Sequence, residues 1–188
     1  MIITVAGSPG SGKSSTAKGL AEALGYEHFS SGDFFRGIAA QRGLSVEALN
    51  LTAEEQHDID ALVDGMLREI GETKDHIVID SRMAWHWIPD SFKIFLKLDE
   101  ETAAERIFAS IRKHGRVSET AATIADMRAS MERRFASEQK RYMDLYGVDP
   151  SDSNNYDLVI NTKHNGKKKV LERALAVYEA WRSAASHV

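Results

Sequence analysis

One run near the N-terminus constrains this chain more than any other feature. Gly7-Ser8-Pro9-Gly10-Ser11-Gly12-Lys13-Ser14 meets the pattern G-x-x-x-x-G-K-[ST] at every fixed position. It follows an apolar stretch, residues 2–6, that reads as a buried strand. It opens a segment, residues 13–24, in which Ala17, Leu20, Ala21 and Leu24 share one helical stripe. Strand, Gly-rich loop and helix in that order are the setting in which this pattern binds phosphate. Glycines at 7, 10 and 12 permit torsions and close approaches that a Cβ would block. Successive N–H groups then wrap an anion at the helix N-terminus. Lys13 supplies a mobile positive charge to the β- and γ-phosphates, and the Ser14 hydroxyl is suited to Mg²⁺.

Further along, apolar runs alternate with helical patterns. Residues 26–29, 77–79, 94–98 and 158–160 read as short strands, and 33–42, 52–70, 101–113, 119–145 and 170–181 as helices. The segment 52–70 opens with Thr52-x-x-Glu55, a capping-box pattern. This alternation implies an α/β fold with a parallel sheet covered on both faces, and a ligand at the carboxyl ends of the strands. A single domain over residues 1–188 is expected.

Four segments after the loop bear on what receives a phosphate. Ser30-Ser31-Gly32-Asp33-Phe34-Phe35-Arg36 follows the second strand; Ser31 and Gly32 are expected in a turn, with Arg36 about one turn into a helix. A guanidinium there suits a phosphate, although a capping serine beside a surface arginine is the plainer reading. Asp80 ends the apolar run Ile77-Val78-Ile79, as a carboxylate that holds Mg²⁺ or its water does, and Arg82 lies just beyond. Arg106, Arg112, Lys113, His114 and Arg116 make a basic helix end and loop. That stretch is either a movable charge-stabilising segment or a solvated helix terminus. Arg134, Glu138 and Arg141, at i, i+4 and i+7, share one helical face, either as a binding cluster or as a surface ion-pair ladder. Trp85-His86-Trp87 reads as core packing rather than as a pocket wall.

Composition narrows the alternatives. A formal charge of −4, from 28 acids and 24 bases, argues against polymeric nucleic acid as the main ligand. Absence of cysteine removes thiolate chemistry and disulfides, and the seven histidines have no zinc-hydrolase spacing. No stretch approaches the roughly 18 apolar residues of a membrane helix, and no signal peptide is read at the N-terminus, so the cytoplasm is expected.

The segments, taken in order, resemble the short, archaeal-type cytidylate kinases, members of the nucleoside monophosphate kinases. The likeness is carried by the phosphate loop, Ser31-Gly32-Asp33-x-x-Arg36, Asp80-x-Arg82, and Arg134-x-x-x-Glu138-x-x-Arg141-Tyr142. Tyr146-Gly147-Val148-Asp149 and Tyr156-Asp157-Leu158-Val159-Ile160-Asn161-Thr162 complete it. The chain departs from the family pattern at Ser81, where a glycine is usual, and at Ser110, where a second lid arginine is usual.

The resemblance implies a three-layer P-loop NTPase fold on a five-strand parallel sheet, a helical monophosphate-binding segment near residues 33–70, and a lid near 106–118. ATP is expected on Gly7, Ser8, Pro9, Gly10, Ser11, Gly12, Lys13, Ser14 and Ser15, with Mg²⁺ on Ser14 and Asp80. The acceptor is expected on Ser31, Asp33, Arg36, Arg82, Arg134, Glu138 and Arg141. Lys13, Arg106, Arg112 and Arg141 are the expected catalytic groups, and the loop after Thr162 is expected beside the ATP base. The implied reaction is ATP + (d)CMP → ADP + (d)CDP, by a monomer that binds neither membrane nor nucleic-acid polymer. The rival expectations are a kinase for AMP, UMP or a small alcohol, a nucleotide-dependent switch, and a nucleotide-binding protein with a decayed lid.

Overall fold

The computed structural model describes residues 1–55, 58–114 and 123–185. Among them, five parallel strands form one sheet in the order β2-β3-β1-β4-β5. The strands are β1 (Ile2–Gly7), β2 (Glu27–Ser30), β3 (Ile77–Asp80), β4 (Phe92–Lys97) and β5 (Leu158–Asn161). Their near-continuous apolar sequences are those of strands covered on both faces. In β1 and β3 every residue except Ile2 is buried.

One face of the sheet is closed by α1 (Lys13–Leu24) and α8 (Lys167–Ala185). Leu20 and Ala17 from α1, and Val170, Ala174 and Tyr178 from α8, pack with Ile3, Val5, Ile94 and Leu96 in the largest apolar cluster. The other face carries α4 (Asp58–Thr73) and the single turn α5 (Ala84–Trp87), whose Leu67, Ala84 and Ile88 edge meets Ile77 and Ile79. A satellite cluster joins α4 to α2 (Ser31–Gln41) and α3 (Val46–Glu55) through Ile38, Leu49, Ala53 and Ile59. The remaining helices are α6 (Glu100–His114) and α7 (Ile124–Tyr146).

Two local expectations are corrected. Residues 52–70 are not one helix opened at Thr52. Thr52 lies inside α3, its hydroxyl donating back to the Ala48 carbonyl at 3.0 Å. Ser45 is the cap, its side chain accepting the Ala48 N–H at 3.0 Å, and the buried Leu49 and Ala53 give α3 its apolar stripe. Nor do Ser31 and Gly32 form a turn: α2 begins at Ser31, directly after β2 ends at Ser30. A capping box is instead present at the start of α7, between Thr123 and Asp126.

Trp85-His86-Trp87 packs, as expected. Trp85 is buried against Ala6 and Phe95, its indole N–H donating to the Arg82 carbonyl at 2.7 Å. Trp87 carries the Arg68 guanidinium over its ring at 3.7 Å. No helix of the described residues is long and apolar enough to cross a membrane.

Candidate active site

The parallel register sets the carboxyl ends of β1, β2 and β3 side by side, pairing Val5 with Asp80 and Ser30 with Asp80. The phosphate loop therefore leaves the sheet beside Asp80 and the N-terminus of α2. Gly7 has φ 148°, and a Cβ there would lie 2.3 Å from the Leu96 carbonyl oxygen of β4. Gly12, with φ 93°, has open space where its Cβ would be. That open space lies beside the first turn of α1, where backbone N–H groups suit an anion. Lys13 folds back over the loop, its Nζ donating to the Gly7 carbonyl at 2.9 Å and to the Ser8 carbonyl at 3.2 Å. Burial and the neighbouring Arg82 bring its amine down to about 7, against the pull of Asp80. A polyphosphate in the loop would supply the negative charge this ammonium lacks.

Asp80 is buried at the end of β3 and Ser14 is exposed on the first turn of α1. A carboxylate and a hydroxyl are hard oxygen donors. Among the described residues no group of three or more His, Cys, Asp or Glu forms an all-protein metal cage. Such a sparse donor set fits Mg²⁺, which keeps waters and takes its remaining ligands from phosphate.

Beyond the loop lies a cleft of about 640 Å³, counting the part open to solvent. On one side are α2, α3 and α4; on the other are residues 81–83 and α7. Ser31, Arg36, Arg82, Arg134, Glu138 and Arg141 all line it, so six of the seven expected acceptor residues meet in one place. The seventh, Asp33, pairs instead with Arg36 at 2.5 Å along α2. Ser31 donates from its hydroxyl to the Asp80 carbonyl at 3.4 Å.

The α7 triad is not a surface ladder. Glu138 and Arg141 are buried, and only Arg134 is half exposed. Glu138 is ion-paired with Arg82 through one oxygen, and accepts from Arg134 Nε at 3.0 Å through the other. Arg141 donates from Nε to Asp60 at 2.9 Å and from Nη1 to Ser137 at 2.8 Å. Burial lowers the Arg82 guanidinium to about 10, which leaves it charged at neutral pH.

Sequence reasoning missed the α4 wall. Asp60 and Asp64 are buried there, and both line the cleft, with Tyr142 of α7 facing them. The Tyr146 hydroxyl donates to Asp64. Burial raises the Asp64 carboxyl, and this hydrogen bond opposes the rise. A signal was present: Asp60 and Asp64 stand four apart beside Ile59, Val63 and Leu67, so acids interrupt the apolar stripe of a helix.

The basic helix end divides. Arg106 lies within α6 and donates from Nη2 to the Thr162 carbonyl at 2.9 Å and the Lys163 carbonyl at 3.0 Å. It thus ties α6 to the loop after β5. Ser110 is half-buried and Arg112 is exposed on the same helix. Arg116 and the rest of the expected lid beyond residue 114 lie outside the described residues.

Known proteins resemble this chain over nearly its whole length. The model of the cytidylate kinase-like family matches residues 2–164. A cytidylate kinase of Halorubrum lacusprofundi is 38% identical over 186 residues, covering 98% of this chain and 92% of its own. One from Methanothrix thermoacetophila is 38% identical over 180 residues, covering 96% and 99%. Among solved structures, a gluconokinase from Sinorhizobium meliloti aligns with a TM-score of 0.62 at 17% identity, covering 98% of this chain and 95% of that one. A shikimate kinase from Acinetobacter baumannii, in complex with shikimate, aligns with 0.59 at 16% identity, covering 95% and 93%. At such identities the two structures speak for the fold alone.

Proposed function

Since the chain belongs to the cytidylate kinase-like family, we propose that it transfers the γ-phosphoryl of ATP to CMP or dCMP, giving ADP and CDP or dCDP. The observation that carries this reading is the convergence of Arg36, Arg82, Arg134 and Arg141 on one cleft next to the phosphate loop. Four guanidiniums on a cleft of this size suit an acceptor that is itself a phosphate ester.

The residues divide the work. The loop amides and Lys13 hold the β- and γ-phosphates of ATP. The cleft arginines hold the acceptor phosphate against the electrostatic repulsion of the triphosphate. An acceptor phosphate oxygen is already anionic at neutral pH, so no side chain has to remove a proton. Catalysis is then orientation plus charge stabilisation. Ser14 and Asp80 would hold Mg²⁺, which when bound with ATP neutralises charge on the β- and γ-oxygens. Arg106, and Arg112 further along α6, stand on the element that covers the phosphate loop: a Cβ on Gly10 would touch the Ala103 carbonyl of α6 at 3.0 Å. The acting species is proposed to be a cytoplasmic monomer.

The test is ADP release from ATP and Mg²⁺ with CMP, dCMP, UMP, AMP, GMP, shikimate or gluconate, and with no acceptor. Turnover with CMP or dCMP well above the rest is the expected outcome. Turnover with an alcohol alone, or hydrolysis indifferent to every acceptor, would overturn the proposal.

A further inference from the structure

The acceptor cleft runs from the side of the phosphate loop to α4, and its two ends match different parts of one ligand. Arg82, Arg134 and Asp80 are the charges that act on Lys13, so they mark the end next to the phosphate loop. The charges that act on Asp64 are Asp60 and Arg68, which lie on its own helix α4. Tyr142 feels Arg82, Arg141, Asp60 and Asp64 and therefore stands between the two ends. A nucleoside monophosphate bound with its phosphate among the arginines would carry its base towards α4.

Three carboxylates line the cleft: Glu138, Asp60 and Asp64. Glu138 is held by Arg82 and Arg134, and Asp60 by Arg141. A carboxylate already paired with cations is a poor partner for a neutral amino group. Asp64 is bound instead by the phenol of Tyr146, with the Trp87 indole and the Arg68 guanidinium also acting on it. It is in no ion pair among the described residues, and a carboxylate has about four lone-pair sites, so it can still accept from a further donor. Val63 and Leu67 flank it on α4 and supply apolar surface for a base. Asn50 of α3 adds an amide to the lining.

We propose that Asp64 is a specificity-determining residue that accepts a hydrogen bond from the 4-amino group of cytosine. This rests on the monophosphate-kinase reading given above. Uracil presents a 4-oxo oxygen at the same position, and two acceptors facing each other repel. The carboxylate thus favours an amino-bearing pyrimidine by attraction and rejects the oxo analogue by an unpaired, desolvated contact. A site built to hydrogen-bond a substrate donor discriminates strongly against an analogue that lacks it. Asp60 has a different part: it positions Arg141, which serves the phosphate end common to every monophosphate.

The experiment compares kcat/KM for CMP and UMP in the wild-type protein, Asp64→Asn and Asp60→Asn. Asparagine keeps an oxygen for the Tyr146 hydroxyl and adds an N–H that suits a 4-oxo group. Asp64→Asn should lower the CMP:UMP ratio by about tenfold or more. Asp60→Asn should raise KM for both acceptors and leave the ratio in place. The 2-pyrimidinone ribonucleoside monophosphate, which lacks the amino group, gives a test that needs no variant. Wild-type protein should use it about tenfold or more less efficiently than CMP. An unchanged ratio in a folded Asp64→Asn, or equal use of CMP and the pyrimidinone, would overturn the inference while leaving the kinase reading intact. Failure of wild-type protein to phosphorylate any nucleoside monophosphate would overturn both.

Discussion

Arg82 and Glu138 form an ion pair that joins the loop after β3 to α7 across the inner end of the cleft. Glu138 is buried and also accepts from Arg134, so one carboxylate balances two guanidiniums that line the cleft. Without the carboxylate, two cations face each other beside Lys13. Glu138→Gln should destabilise the protein by about 2–3 kcal/mol, because a buried charge is left without its partner. A saturating monophosphate supplies a replacement anion, so it should raise the melting temperature more in the variant than in the wild type. Thermal unfolding with and without CMP checks both parts.

Gly7 and Gly12 serve the phosphate loop in different ways, and alanine separates them. At Gly7 a Cβ collides with the β4 backbone, which cannot give way as a flexible side chain would. Gly7→Ala should therefore cost about 3 kcal/mol or more in urea unfolding and abolish activity with it. At Gly12 nothing stands in the way, and only the positive φ is strained. Gly12→Ala should cost about 1–2 kcal/mol yet lose nucleotide binding if the phosphate approaches the loop backbone there, as proposed, because a methyl group would enter that space. Equal stability losses in the two variants would contradict this assignment.

How much of this was legible beforehand follows from how local each feature is. The phosphate loop and α1 are set by neighbouring residues, and α1 spans Lys13–Leu24 as its apolar spacing indicates. β3 ends on Asp80 for the same reason: an apolar run stops where a carboxylate begins. The Arg134, Glu138 and Arg141 face was legible from helical period, but the partners of that face were not. Asp60 meets Arg141 across 81 positions of sequence, and Asp64 meets Tyr146 across 82. No local pattern encodes which acid will face which base. The misplaced helix start shows a different limit. Thr52 and Glu55 have capping-box spacing, yet the true cap is Ser45, and the buried Leu49 and Ala53 extend the helix through Thr52. Burial of an apolar stripe outweighed a local motif.

Two histidines make stability depend on mild acidity. Burial lowers the pKa of His28, within β2, and that of His86, against Trp87 and Tyr146. Each is neutral in the folded chain at a pH where the unfolded chain already takes a proton. Above the ordinary histidine value of about 6.5 these two residues contribute no change. As pH falls through that value the unfolded state binds more protons, so stability drops, until the folded histidines protonate as well. Urea midpoints should therefore fall between pH 7 and pH 5. A His28→Gln/His86→Gln protein should show a flatter profile over the same range.

Arg106 provides the last test, because its contacts separate a structural tie from a role in turnover. Its Nη2 bridges the Thr162 and Lys163 carbonyls, joining α6 to the loop that follows β5. Lys163 in turn reaches Asp99 at 3.3 Å, just before α6 begins. Two partly exposed hydrogen bonds are worth about 0.5–1.5 kcal/mol each, so Arg106→Ala should unfold only slightly more easily. If the guanidinium also stabilises charge on the transferring group, kcat should fall by about 10²-fold at a temperature where the variant is still fully folded. Arg106→Lys keeps the charge but replaces the planar guanidinium with a shorter, freely rotating ammonium, so it should recover part of kcat and little of the tie. Arg112, exposed further along α6, is the comparison. A similar fall in kcat for Arg112→Ala assigns the transferring group to both arginines. A fall confined to Arg106 leaves Arg112 on the solvent side of the helix.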